Sequence, residues 1–543
     1  MTTETQAISV PDQTEPQLRR RSSRIAIIGA MILSLLASAG ARYWSDQQRE
    51  AAVPSHGGDT AAASLGSMNS FALGLLLGGL RGPLVMILWT ESETQKSEKN
   101  LEGVDTQIEW IRLLQPEFDT VHIFEIWNKA YNISVQMASL ANKYDVILGA
   151  LDYAYKVDRA KPDDINIVAA IGQLYFDKLG TSAEKYYYRK RVREETLPHA
   201  DNQKLRQEDP GWHRVKLDPI LDASSNVLPE LTRPAVGQAK PANLPPGQEW
   251  DDGSALQYLP QFAPYPDGVS TFGIAYNYYK RAQVLQSVGK QRHDQLSDLV
   301  IDSRPALSLK FWGEDELEWG HRRELQALVT GPAVDPFEVP MPENMDEILT
   351  DTAGFSLQHP VKDPRALSLA IDADARATKL LNDSLNEYVR HILNFPDREQ
   401  QYQSYILEIK TELQLATGDY EYLSAMNCPP AERSQHIKNA LQAYRECGHF
   451  SYINLLRYYI DSPLVRPLLP PGYRIERTAG QKSLEDLTAE QARDIAVQAD
   501  ELKRHSRNQY IDTDRYEFDR FIFRSAMREK TLLALPAAAA TQP

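Results

Sequence analysis

The sequence predicts an all-α protein in which an N-terminal membrane helix is followed by irregular helical hairpins separated by long Pro-rich loops. Three observations carry this. Apolar residues recur at steps of three and four through most of the chain, the period of one helical face. A basic cluster at Arg19, Arg20, Arg21 and Arg24 precedes an apolar run, Ile25 to Ala41, closed by Arg42, Tyr43 and Trp44. Prolines gather in particular stretches, above all 221–270, where helices cannot continue.

Residues 1–24 read as a polar, basic, disordered N-terminus and 25–44 as the anchor. An apolar run of about 17 residues is at the lower limit for a spanning helix. Basic residues before it hold the N-terminus in the cytoplasm, and the aromatic pair suits the far interface. The bulk is then exported on a single-pass anchor. A cleaved signal peptide is the alternative, with Ala37-Ser38-Ala39 as its processing site. A twin-arginine signal fits less well. Residues 45–70 form a small-residue linker and 71–90 a second apolar segment. Arg81, Gly82 and Pro83 lie at its middle, and a central charge costs about 2.5–3.5 kcal/mol. It therefore reads as two short buried or interfacial segments; were it a second span, the bulk would return to the cytoplasm.

The pattern over 91–220 is helical. Gln107 to Ser134 reads as helix, Pro116-marked turn, helix, with Asp119 or Thr120 as cap. Ile123, Ile126, Trp127, Ala130, Tyr131 and Ser134 form the inward face of the second helix, and Trp110, Trp127 and Tyr131 read as core. Next, Ala150, Ala154 and Val157 mark a helix ended by Pro162. Ile165 opens another, carrying Ile171-Gly172 and Tyr175. Small residues at Ala150 and Gly172 are expected to let these two helices approach closely. The run Tyr186 to Arg193 is aromatic and basic. It reads as a solvated helix face, with lipid phosphate or an acidic partner as the alternative.

Residues 221–270 form a Pro-rich loop, and 271–533 a C-terminal helical region. Within it, Ile274, Tyr278, Ala282 and Leu285 form a stripe before Gly289. Trp312 and Trp319 lie in a segment bounded by Pro305 and Pro332. Helices are expected over Pro364–Asn394, over Tyr405–Thr417 with Gly418 as its stop, over Ala431–Cys447 and over Phe450–Ile460. Leu487–Leu533 reads as one or two helices, with Thr488 and Gln491 as a capping box. Residues 534–543 form a disordered tail.

Composition excludes some functions. A net charge of −15 argues against general nucleic-acid binding. Cys428 and Cys447 are the two cysteines; a helix of about 24 Å between them keeps their thiols unpaired, and no zinc spacing occurs. The sequence holds no phosphate-cradling GxxxxGK[ST] or GxGxxG, no HExxH and no GxSxG. His213, His321, His449 and His505 are scattered and read as surface or satisfied residues. Asp251-Asp252 and Glu314-Asp315-Glu316 read as solvated charge runs. No catalytic, cofactor-binding or metal-ligating residue is assigned, and no partner-binding residue.

The spacing of Ala150, Pro162, Gly172 and Tyr175 resembles a tetratricopeptide repeat, and Gly418-Asp419-Tyr420 resembles its inter-helix turn. Four further stretches add to this: Gly79-Leu80-Arg81-Gly82, Leu88-Trp89, Leu114-Gln115-Pro116, and Trp127-Asn128 with Ala130 to Val135. Together they are similar to a family of bacterial membrane-anchored proteins with tetratricopeptide-like helices and no assigned biochemical role. The similarity covers residues 70 to 195, with echoes at Leu217 to Asp222. It implies a helical-repeat, envelope-associated protein and supplies no catalytic residue; the first reading is an interaction protein, with no catalysis evident, no cofactor and no small-molecule substrate identified. Residues 25–44 would meet membrane lipid and the helical body a protein partner. An envelope enzyme acting on a cell-wall polymer is the alternative. Two carboxyls about 5–9.5 Å apart in an aromatic cleft would mark it.

Overall fold

The computed structural model describes residues 85, 87–88, 90–91, 119–161, 164–196, 267–287, 298–332, 361–459, 466–474, 482–504 and 513–534. The expected anchor, the linker, the first helix of the 107–134 pair and the Pro-rich loop over 221–266 lie outside the described residues. Among those described, no helix is long and apolar enough to cross a membrane. The chain divides into two units, Met1–Glu125 and Ile126–Pro543, and nearly all the described helices belong to the second.

The architecture is all-α. Helix α1 spans Asp119–Trp127 and runs on through a π-helical segment, Asn128–Ile133. Helix α2 is Leu140–Ala160, capped by the Ser139 hydroxyl, which accepts from the Asn142 amide. Helix α3, Ile165–Gln173, starts where Asp164 accepts from the amides of Asn166 and Ile167, and a second π segment, Leu174–Thr181, prolongs it. Then come α4 Lys185–Glu195, α5 Thr271–Ser287 and α6 Asp298–Leu325, with a third π segment at Gln326–Thr330. Three long helices come next: α7 Pro364–Asn394, α8 Glu399–Asn427 and α9 Pro430–Tyr459, then α10 Ala489–Arg504 and α11 Thr513–Leu533. A two-residue parallel pairing, Tyr473–Arg474 with Lys482–Ser483, sits in the connection before α10.

The turns between α7, α8 and α9 are a few residues long, so these helices run antiparallel. Helix α7 begins as the sequence predicts, with Asp363 accepting from the Ala366 amide and Pro364 at its first position. Its buried residues, Ala366, Ala370, Ala373, Ala377, Leu380 and Ser384 among them, alternate steps of four and three, the seam of a left-handed helix pair. Small side chains there let α6 come close. A Cβ placed on Gly313 would lie 2.6 Å from Leu381 Cγ, and one on Gly320 would collide with the Asp374 carboxyl.

Four expectations are corrected. Gly418 does not end a helix: α8 passes through it to Asn427, and the absent side chain admits Tyr444, whose Cε1 would lie 2.6 Å from a Cβ there. Gly418-Asp419-Tyr420 is thus mid-helix and not an inter-helix turn. Helix α9 likewise runs unbroken through Gly448-His449. Pro305 lies inside α6 and does not bound it. Trp127 is 43% exposed, stacked on Tyr131 at 6.1 Å. The π segment explains this last case. Its wider turn aligns Ile126, Ala130 and Ser134 on the buried side, a step of four that rotates Trp127 outward. Gly172 does admit a close neighbour, but the neighbour is Tyr279 on α5, 3.2 Å from its virtual Cβ. Helix α5 therefore packs on α3, linking the helices on either side of residues 221–270. At α10 the capping box forms as expected. The Gln491 amide donates to Thr488 Oγ1 at 3.2 Å, and the Thr488 amide to Gln491 Oε1 at 3.1 Å.

The glycines make a direct test. Gly313→Ala gains up to about 1 kcal/mol of helix propensity but overpacks the α6–α7 seam by about 1–3 kcal/mol. Denaturant unfolding should show a net loss. Gly149→Ala, with nothing within 4 Å of the added methyl, should instead raise the midpoint.

Candidate functional site

Helix α6 is rich in charged residues, and several of them are buried. Asp302, Lys310, Asp315, Glu316, His321 and Glu324 are all at or below 8% exposure. Buried charges persist only when paired, and neighbouring helices supply the partners. Arg193 of α4 donates to Asp315 at 2.7 Å and to Glu316 at 2.9 Å, and Arg376 of α7 meets Glu316 at 2.9 Å. Burial opposes ionisation of Asp315, but Arg193 and Arg189 outweigh it and hold the carboxyl below its usual range. Asp302 accepts from His391 at 2.6 Å and Arg390 at 2.9 Å. Burial raises Asp302, and these two donors more than reverse it, to about 2.

The densest cluster joins α6, α7, α8, α9 and α11. Asp419 pairs with His321 at 3.0 Å, with the Tyr444 hydroxyl at 2.7 Å and with Arg524 at 2.9 Å. Glu324 accepts from Arg524 at 3.0 Å and from Arg528, whose guanidinium lies 4.1 Å from the Tyr422 ring centre. Asp374 faces this cluster with neither carboxyl oxygen hydrogen-bonded. Burial, then the charges of Asp419 and Glu324, raise it far above the carboxylate range, so it is held as the neutral acid. A fourth group forms where Lys310 sits among Glu314, Glu408 and Glu412.

These clusters are closed: acid meets base and little remains for a ligand. One group is built differently. It lies where the first two π segments meet α5 and the start of α6. Lys178, 4% exposed, holds its ammonium 5.6 Å from the Tyr131 ring centre. The Arg304 guanidinium lies 5.4 Å from the ring centre of Phe176 and 5.8 Å from that of Tyr279. No acceptor among the described residues takes a hydrogen bond from either cation, and the buried Tyr131 hydroxyl has no partner. Burial lowers the Lys178 ammonium from its usual value, with Glu184 opposing and Lys143 reinforcing. Burial raises the Tyr131 phenol; Asp177 adds to this and Arg304 subtracts. Arg304 and Asp177 act on Tyr279 as well, whereas the charges that act on Lys178 are those of Glu184 and Lys143. This donor-rich group is the candidate site.

Sequence patterning points elsewhere. Glu314-Asp315-Glu316 is no solvated run but part of α6, with Asp315 and Glu316 buried in ion pairs. The Tyr186–Arg193 face is not solvated throughout. Tyr186 is 60% exposed, but Tyr188 and Arg193 are buried, and Arg189 donates to the Gly180 carbonyl at 2.7 Å. His449 contacts the Leu487 carbonyl at 2.9 Å, and His321 lies in the Asp419 cluster. Trp110, His213, Asp251, Asp252 and His505 lie outside the described residues. No motif singles out Asp177, Lys178, Tyr279 or Arg304. A signal for two of them is present all the same: Asp177-Lys178 interrupts an otherwise apolar helical run. Among the described residues no group of His, Cys, Asp or Glu is placed to hold a metal ion.

Two substitutions test the electrostatics. Asp419→Asn leaves Arg524 and His321 without their buried counter-charge and should cost about 3–5 kcal/mol in denaturant unfolding. Glu195 accepts from Tyr144 at 3.1 Å and Arg191 at 2.9 Å. Burial still pushes its carboxyl up to about 8, with Arg191 and Tyr144 opposing. Because the folded-state value exceeds the unfolded one, near 4.3, this group loses stability as pH rises between them. Glu195→Gln should remove up to about tenfold per pH unit from the unfolding constant's pH dependence over that window, read as the difference between variant and parent unfolding curves.

No protein-family model, no curated protein and no solved structure matches this chain. The functional reading therefore rests on the residues and their geometry.

Proposed function

We propose that the protein is a membrane-anchored helical scaffold of the bacterial cell envelope that binds a protein partner through tetratricopeptide-like hairpins. The observation that carries this reading is the closure of the acidic clusters among the described residues. A glycan-cleaving site needs two accessible carboxyls with room between them for water or a sugar ring. Here Asp374, Asp419 and Glu324 are each 1% exposed, and two of them are locked by arginines. Asp315 and Glu316 are likewise held by arginines, Asp302 by Arg390 and His391, and Lys310 lies among Glu314, Glu408 and Glu412. Such networks suit a rigid body: antiparallel helices keyed by buried ion pairs hold an outer surface in fixed shape.

Two measurements test the reading. In liposome flotation, the full chain should rise with the vesicles and a chain beginning at residue 91 should remain below. Equal flotation of both would remove the anchor. Crosslinking in intact cells should join the full chain to a recurrent protein partner, and purified protein should release no soluble fragments from cell-wall glycan. Steady fragment release would favour the enzyme reading instead.

A further inference from the structure

We propose that Asp374 is a proton-sensitive latch between α6 and α7: with its proton the first half of α7 lies closed on α6, and without it that half is released. The geometry starts at Gly320. A Cβ placed there would lie 3.2 Å from Asp374 Cγ and closer still to Oδ1, so the carboxyl fills the space of the missing side chain, against the backbone of α6. Glu324 stands four residues on, one turn along the same helix face. His321, the residue after Gly320, meets Asp419 at 3.0 Å, and Arg524 ties Asp419 at 2.9 Å to Glu324 at 3.0 Å. Asp374 therefore shares one turn of α6 with the groups that engage both other carboxylates.

None of the donors in this cluster reaches Asp374. His321 and the Tyr444 hydroxyl are on Asp419, Arg524 is on Asp419 and Glu324, and Arg528 is on Glu324. Arg376, on α7 itself, is bound to Glu316. Both Asp374 oxygens are buried without a hydrogen bond, and the residue is 1% exposed. Two arginines balance two carboxylates, so a third carboxylate would stand in excess in a dry site. Burial and the charges of Asp419 and Glu324 accordingly raise the Asp374 carboxyl, with Arg524 and Arg528 opposing. The other acids around it titrate elsewhere. Burial opposes ionisation of Asp419, but Arg524 and His321 hold it below its usual range. Burial pushes the Tyr422 and Tyr444 phenols up.

The half of α7 that carries Asp374 is also the half held least by apolar contact. Its buried residues are Ala366, Leu367, Ala370, Ala373 and Ala377, whereas Leu380, Leu381 and Tyr388 follow. Alanine buries little area, at about 25 cal/mol per Å², so local opening costs least there. Opening brings Asp374 to water, where a carboxyl of this type ionises near pH 3.9. Between that value and the higher one of the closed seam, the open form holds one proton fewer. The opening constant then rises with pH by up to about tenfold per unit, and the closed seam loses stability as pH rises.

The latch does not rest on the scaffold reading. Amide hydrogen exchange of the full chain tests it, followed from mildly acidic to mildly alkaline pH. Over residues 366–377 and 316–324 exchange should outrun the intrinsic pH dependence by up to about tenfold per unit, whereas α10 should follow the intrinsic slope. Asp374→Asn keeps the shape and has no proton to lose, so it should remove the excess; Asp374→Ala should do the same. An infrared difference spectrum, parent minus Asp374→Asn, should show the carbonyl stretch of a protonated carboxyl at neutral pH. The proposal is overturned if that band is absent, if α10 shares the excess equally, or if the variants keep the parent's slope. Should neither variant fold, the parent's exchange profile decides: an excess confined to the seam supports the latch and its absence removes it.

Discussion

The close approach of α6 to α7 is the constraint on which the rest depends. Gly313 and Gly320 remove side chains from one helix, and Ala373 and Ala377 shorten them on the other. The two backbones can then approach closely along a shared seam. The charges buried on α6 must find a protein partner or lose their charge. Asp302, Asp315, Glu316 and Glu324 find arginines or a histidine from neighbouring helices. Asp374, wedged against Gly320 beside two like charges, has no donor and stays neutral.

Buried ion pairs of this kind contribute modestly to net stability, because desolvation consumes most of the Coulomb gain. Their geometric demands are strict, however. Arg524 must reach Asp419 and Glu324 at once, which fixes α11 against α6 and α8 together. Arg193 spans Asp315 and Glu316 and ties α4 to α6. Sliding any of these helices by one turn would strand a charge. The network thus specifies which helix lies beside which, while the apolar residues supply the driving force. Lys178 and Arg304 differ: they rest on the aromatic faces of Tyr131, Phe176 and Tyr279 in place of an ion pair among the described residues.

Much of the architecture is legible in the chain. The boundaries of α7 follow from Asp363-Pro364 at one end and Phe395-Pro396 at the other, where cap and proline chemistry act locally. The Thr488–Gln491 box is local in the same sense. Failures come where a residue's meaning is set by a distant partner. Gly418 looks like a helix stop because glycine costs a helix about 1 kcal/mol; only Tyr444, packed into the vacant space, explains its presence mid-helix. Glu314-Asp315-Glu316 looks solvated because no nearby residue neutralises it. Its counter-ions come from Arg193, far earlier in the chain, and Arg376, well after it.

By itself the sequence determined the helical class, the Thr488–Gln491 capping box and the start of α7 at Pro364, because each depends on backbone sterics and hydrogen bonds within a few residues. It also determined which functional classes lack their local signatures. Tertiary structure alone decided which charges are engaged by the fold and which remain available. That distinction depends on distances between helices far apart in the chain. Periodicity counted along the chain assumes a uniform helical turn, and here the turn widens at the very residues that matter.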